Sequence, residues 1–412
     1  MFAVRAARAF DGDRFLHDGA TVFVDDGRIA GVEGPHCDVP RGCELQHFDD
    51  ATILPGLIDT HVHLVADSHD GALDRVPAYD TDQLDAVIDG GLARQLAAGV
   101  TTVRDLGDRS WCVVERRDRM SPHDLTPTIV ASGPPITSVG GHCHFLGGAV
   151  DGTTAIAAAI RERAERGVDV VKVMASGGFN TPGTKVDEPQ FPEDELRLLV
   201  DLAHAAGLRV VAHAHALSAV EQVIDVGADG IEHFSCMTAT GMQHTDDVLQ
   251  RVAAAGTPVS LTMGVDPAFA LSPPPHIAAF LAERGFDVPM MLAQRQEAQE
   301  RVCRSGVRLL CGTDAGIGNG KPHGILGQSV AEHVDRGLAL PLALAGATSF
   351  AAEACGLAST KGRLRPGLEA DLLVVAGDLA TNVTALARPV QIWVRGQPTP
   401  RQPRHQLTSV GV

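Results

Sequence analysis

An alternation limits most strongly what this chain can fold into. After about residue 55, eight apolar, β-like runs are separated by segments with helical spacing. In order they are LPGLIDTHVHL, GVTTVRDLG, TPTIVASG, DVVKVMASGG, RVVAHAH, GIEHF, TPVSLTM and RLLCGTDAG. Strands alternating with helices build parallel sheets, which sets the class as α/β. Eight such repeats close a (β/α)8 TIM barrel. The helices between them are signalled at their ends. DQLDAVIDGGLARQLAAG stops on Gly99, and PEDELRLLVDLAHAAG opens on proline and acids and stops on Gly207. Ser218 and Glu221 have the spacing of a capping box at the start of SAVEQVIDVG.

Both ends of the chain have a different texture. Residues 1–54 and 358–398 read as short alternating strands broken by Asp-Gly, Gly-Pro and Pro-Gly turns. The expected organisation is a small β-sandwich domain made by both ends, with the barrel at 55–357 inserted between its halves. Residues 399–412 are Pro-rich and polar, which predicts a loose tail.

The 412 residues suffice for one large barrel and a small second domain. The net charge of -17, with no run of Lys or Arg, argues against nucleic acid and anionic membranes as partners, because both need a basic patch. A small-molecule substrate is expected instead, and self-association into a homo-oligomer is compatible with the sequence. No apolar stretch reaches the ~18 residues that span a bilayer. The N-terminus has no long apolar core of the secretory kind, so a cytoplasmic location is expected. The 8 cysteines form no CxxC pair, so neither a zinc knuckle nor a redox motif is signalled.

The chemistry-bearing residues fall at the C-terminal ends of the runs, the edge that carries the active site in such a barrel. His61 and His63 end the first run and, two apart on a strand, point the same way. Lys172 stands among valines in the fourth run. Buried alone it would be costly, unless paired, or unless it has added CO2 to become an anionic carbamate with two oxygens for two cations. His213 and His215 end the fifth run, His233 the sixth and Asp314 the eighth. Any one of these fits a hydrogen-bonded core residue. Together they make a convergent ring of metal ligands.

On those residues the chain resembles the amidohydrolase superfamily over nearly its whole length. The match extends to GRLRPGLEADLLVV, which is similar to the family's closing turn and strand. The resemblance implies two divalent metal ions held by His61, His63, Lys172 as a carboxylated lysine, His213, His233 and Asp314. Zinc is the expected metal, although such a donor set also accepts Mn, Co or Fe. In the fifth run the first histidine, His213, is the expected ligand. His215, on the same face, is the alternative and otherwise an outer or substrate contact. GVTTVRDLG, the loop Gly140–Gly141–His142, KVMASGG and the stretch up to AHAHA are similar to the imidazolonepropionase-like and prolidase-like (Xaa-Pro dipeptidase-like) branch.

The expected reaction is hydrolysis of an amide, in a dipeptide or N-acyl amino acid. Asp314 would take a proton from water and pass it to the leaving amine. His142 is a candidate donor to the substrate carbonyl. His144, His215, Arg104 and His323 are further candidates for substrate contact, although for Arg104 a structural pairing with an acid is the stronger expectation. Lactone, ester, carbamate or organophosphate hydrolysis uses the same centre. A mononuclear ring deaminase would carry Glu three residues after the fifth-strand histidine, where this chain has Ala216. A non-catalytic scaffold would be expected to have lost ligands that are retained here.

Overall fold

The computed structural model describes residues 1–400 other than His17; of Pro267 and His276 it describes the backbone alone. The expected tail therefore falls, from residue 401 onward, outside the described residues.

All eight β-like runs are strands, in two parallel arcs. The first arc is Leu57–Val62, Val100–Asp105 and Thr128–Ala131. The second is Val170–Met174, Arg209–Ala216, Gly230–Thr238, Val259–Ser260 and Leu309–Leu310. Backbone hydrogen bonds join the arcs at both seams. At one, Ile136 N–H donates to Lys172 O (2.8 Å) and Met174 N–H to Ile136 O (2.8 Å). At the other, His63 N–H donates to Ala315 O (2.8 Å) and Asp314 N–H to His61 O (2.7 Å). The arrangement is TIM-barrel-like, and the second seam sets Asp314 against the His61–His63 pair.

The helices fall where the sequence places them, with one correction. Asp80 caps Thr81–Ala97 in a capping box with Gln83, and Glu193–Ala205 opens with three acids that favour its positive N-terminal end. The expected capping box at Ser218 does not form. Helix Leu217–Asp225 starts directly from the fifth strand, with Ala216 as its N-cap, so Ser218 already lies inside the first turn. Between the seventh and eighth strands the chain inserts three helices, Pro267–Leu271, Pro275–Glu283 and Val288–Cys303.

The two chain ends do meet. The long strand Glu44–Pro55 pairs in parallel with Phe2–Phe10 and antiparallel with Leu372–Ala376. Hydrogen bonds link all the strands from both ends into one eight-stranded sheet, which curls so that Phe2 of the first strand stacks on Trp393 near the other end of the strand order. Its faces alternate as a strand requires. Leu372 and Val374 join the sheet's own apolar cluster around Trp393, whereas Leu373 and Val375 join the large cluster that fills the rest of the molecule. No helix among the described residues is long and apolar enough to cross a membrane. All eight cysteines are free, five of them buried.

Candidate metal centre

A cavity of about 1010 Å³ opens at the C-terminal ends of the strands. His61, His63, His142, Lys172, His213, His215, His233 and Asp314 all line it. Two sets of three donors sit side by side. His61 Nε2, His63 Nε2 and Asp314 Oδ1 lie 3.2–3.3 Å from one another. In the second set the ring centroids of His213, His215 and His233 are 4.5–4.6 Å apart. His61 and His233 connect the sets, with centroids 5.2 Å apart.

Each of these imidazoles is anchored through one nitrogen, leaving the other for the cavity. His61 Nδ1 meets Glu232 Oε2 at 2.7 Å, and His63 Nδ1 meets Gly107 O at 3.3 Å. His213 Nε2 meets Gly177 O at 3.1 Å, His215 Nδ1 meets Ser235 Oγ at 2.9 Å and His233 Nδ1 meets Thr262 Oγ1 at 3.1 Å. Outer partners of this kind fix the tautomer and ring orientation of a metal ligand. Burial, followed by neighbouring positive groups, pulls His61, His213 and His233 well below the usual histidine range, so they present neutral lone pairs. Burial would raise Asp314, but His61, His63 and Lys321 outweigh it and hold the carboxyl at about 2. The donor set therefore fits divalent cations: His61, His213 and His233 neutral, His63 raised against its burial by the adjoining Asp314 carboxylate, and that carboxylate ionised, all pre-aimed.

Lys172 is 1 % exposed, and its ammonium makes no hydrogen bond or ion pair among the described residues. Burial lowers its pKa to about 8, against the pull of Glu232 and Asp314.

The backbone bends to make this site. His233 (φ 71°) and Asp314 (φ 62°) both occupy the left-handed region, at a cost of about 1–3 kcal/mol each. A Cβ on Gly178 would stand 2.4 Å from His142 Nε2, and one on Gly316 would stand 2.4 Å from His63 O, so glycine is needed at both places.

Family comparison agrees with the geometry. A model of the amidohydrolase family matches residues 52–399. The chain belongs to the amidohydrolase family. Members are metal-dependent hydrolases, and this chain is one. It is 25% identical to the ochratoxinase of Aspergillus niger over 424 residues, covering 93% of this chain and 83% of that one. It is 28% identical to the imidazolonepropionase of Ralstonia nicotianae over 403 residues, covering 89% and 88%. Among solved structures, a prolidase crystallised with N-methylphosphonate-L-proline superposes with a TM-score of 0.80 at 25% identity, covering 97% of this chain and 100% of that one.

Of the five substrate contacts expected from sequence, two face the cavity and three do not. His142 and His215 line it. Arg104 does not, because its guanidinium is committed to Glu232 Oε1 (3.0 Å) and Thr60 O (2.7 Å) beneath the first strand. His323 is turned away towards Ala66 O (3.1 Å), and exposed His144 folds back on Gly141 O (3.0 Å). Sequence reasoning missed Glu232, which stands between Arg104 and His61, and two cations on the cavity wall, Arg295 and Lys321. An acid in the apolar run GIEHF was a usable signal for Glu232; nothing in the sequence singles out Arg295.

Proposed function

We propose that this chain is a binuclear amidohydrolase that cleaves an amide whose leaving group is an amino acid, as in a dipeptide or an N-acyl amino acid. The observation that carries the reading is Lys172, buried and unpartnered between the two donor sets. In this reading the catalytic unit is the closed eight-stranded barrel at 55–357, flanked by the sheet from 1–54 and 358–398, in a cytoplasmic enzyme.

His61, His63 and Asp314 would hold one cation, and His213 and His233 the other. Of the two histidines in the fifth strand, His213 presents Nδ1 to the cavity and His215 presents Nε2. We assign the ligand to His213, whose ring also abuts His142 (centroids 4.6 Å apart). Lys172, as a carbamate, would bridge the two sites. A lysine with a pKa of about 8 is neutral in roughly a tenth of molecules at pH 7, far more than an ordinary lysine, and only the neutral amine adds CO2. Two cations so held, zinc by preference, supply Lewis acidity and a nucleophile at neutral pH.

The remaining steps belong to the protein. Asp314, ionised at working pH, accepts the proton of the attacking water and returns it to the departing nitrogen. His142 is held neutral by burial, with a pKa of about 3. Its Nδ1 lies 2.9 Å from Thr181 Oγ1, which already accepts from Cys143 N–H (3.0 Å). In the tautomer where the Thr181 hydroxyl donates to Nδ1, His142 would offer Nε2–H as a donor for the scissile carbonyl. The names of the relatives, a prolidase and an ochratoxinase, support an amide over an ester.

The test is a panel of dipeptides, N-acyl amino acids, lactones and aryl esters on metal-loaded protein, with metal content measured alongside. About two metals per chain and turnover of the amides are expected. Turnover of lactones or aryl esters alone would overturn the amide reading.

A further inference from the structure

The third helix of the insertion, Val288–Cys303, brings a cation to the cavity wall that the reaction above leaves unused. Arg295 is half-buried there and makes no hydrogen bond or ion pair with any described residue. The acid whose charge acts on it, Glu332, is otherwise engaged: its carboxylate accepts from Gly264 N–H (2.9 Å) and from the Gln328 amide (2.9 Å). Lys321 differs, because its ammonium is spent on Thr262 O and, at 2.9 Å, on Thr313 O. Arg295 lines the same cavity as the metal donors. Met291 and Val302 of its own helix line that cavity too, as do Phe269, Ile277 and Leu281 of the two preceding helices, all of them apolar. A lone guanidinium in such surroundings is costly, and a carboxylate is the partner its planar fork fits best.

We propose that Arg295 is a specificity-determining residue that receives the free carboxylate of the leaving amino acid, so that the substrates are N-acyl amino acids with a bulky apolar acyl group. This rests on the amide reading above. A chamber of about 1010 Å³, at the upper end of the ~300–1,000 Å³ of small-molecule sites, has room for an aryl or long-chain acyl group.

The probes are N-benzoyl-L-phenylalanine and its decarboxylated partner, N-benzoyl-phenethylamine. In the wild type the carboxylate probe should have the higher kcat/KM by on the order of 10²-fold, the scale of a charge-assisted hydrogen bond in a water-poor site. In Arg295→Gln the two probes should converge, and Arg295→Lys should restore part of the gap. An equal fall on both probes would make Arg295 a structural residue and overturn the proposal, as would an unchanged gap. Binding of the same probes, measured by calorimetry on Asp314→Asn protein with and without Arg295→Gln, separates this from the amide reading. If neither amide is cleaved by the wild type, that reading fails. A carboxylate preference in binding that disappears with Arg295 would still support the assignment of Arg295, and its absence would overturn it.

Discussion

Glu232→Gln is a demanding test of how the centre is held. In the native protein one oxygen of Glu232 accepts from His61 Nδ1 at 2.7 Å and the other from Arg104 at 3.0 Å, with all three side chains buried. The substitution keeps the shape and removes the charge. With the one remaining amide oxygen turned to Arg104, the guanidinium keeps neutral acceptors, that oxygen and Thr60 O, but no counter-charge, a loss of up to about 3–5 kcal/mol for breaking a buried pair. His61 loses the acceptor that fixes Nδ1–H and frees Nε2, which should weaken metal binding by about 10- to 100-fold. The two effects separate in the double variant Arg104→Met/Glu232→Gln. With no orphaned cation, its thermal midpoint should recover much of the loss, while metal affinity, read by competition with a chromogenic chelator, should stay low. If the single variant keeps native metal affinity, Glu232 does not orient His61. If stability and affinity recover together in the double variant, its only role is to neutralise Arg104.

Three further outcomes follow from the same geometry. Lys172→Ala should lose metal and activity together; full metal content and activity in the variant would refute the bridging role. Because the neutral amine rises as pH passes through about 8, reconstitution of metal-free protein with metal at a fixed concentration of dissolved CO2 should quicken up to that pH and then level off, and a flat profile would refute carbamate formation on Lys172. Asp314→Asn should lower kcat by ~10² or more with the fold retained; near-normal kcat in metal-replete variant protein would exclude Asp314 as the proton carrier.

The strand count and the residues at the strand ends were legible because both leave local marks. Apolar runs with turn signals show as strands whatever they pack against, and HVH or HAH on a strand faces one way. What was not legible depends on contacts far apart in sequence. Arg104 was expected to pair with an acid, but which acid was not legible, because Glu232 lies 128 residues away. His323 looked available to substrate until Ala66 O, 257 residues away, took its ring. That the strands of both chain ends share one hydrogen-bonded sheet was not legible either, because it needs Glu44–Pro55 to pair with strands from both termini. The capping box at Ser218 failed because the strand before it runs one residue further than its apolar pattern suggests.

The residues that gather here are poorly matched to each other without a ligand. Burial, followed by neighbouring histidines and Lys172, suppresses the protonation of His61, His213 and His233, Lys172 has no hydrogen-bond or ion-pair partner among the described residues, and His233 and Asp314 hold left-handed backbone. A merely structural cluster would relieve such costs, since histidines packed for stability alone gain nothing from pointing their free nitrogens at one another. Here the outer anchors do the opposite. Glu232, Gly107, Gly177, Ser235 and Thr262 each take the nitrogen that faces away and so commit the other to the cavity. The scaffold therefore spends hydrogen bonds on aim rather than on mutual relief, which is what a site built for cations requires. The same reasoning sets Arg295 apart from Arg104. Arg104 is neutralised by the anchoring network and belongs to the scaffold, whereas Arg295 lines the cavity without a hydrogen-bond or ion-pair partner among the described residues.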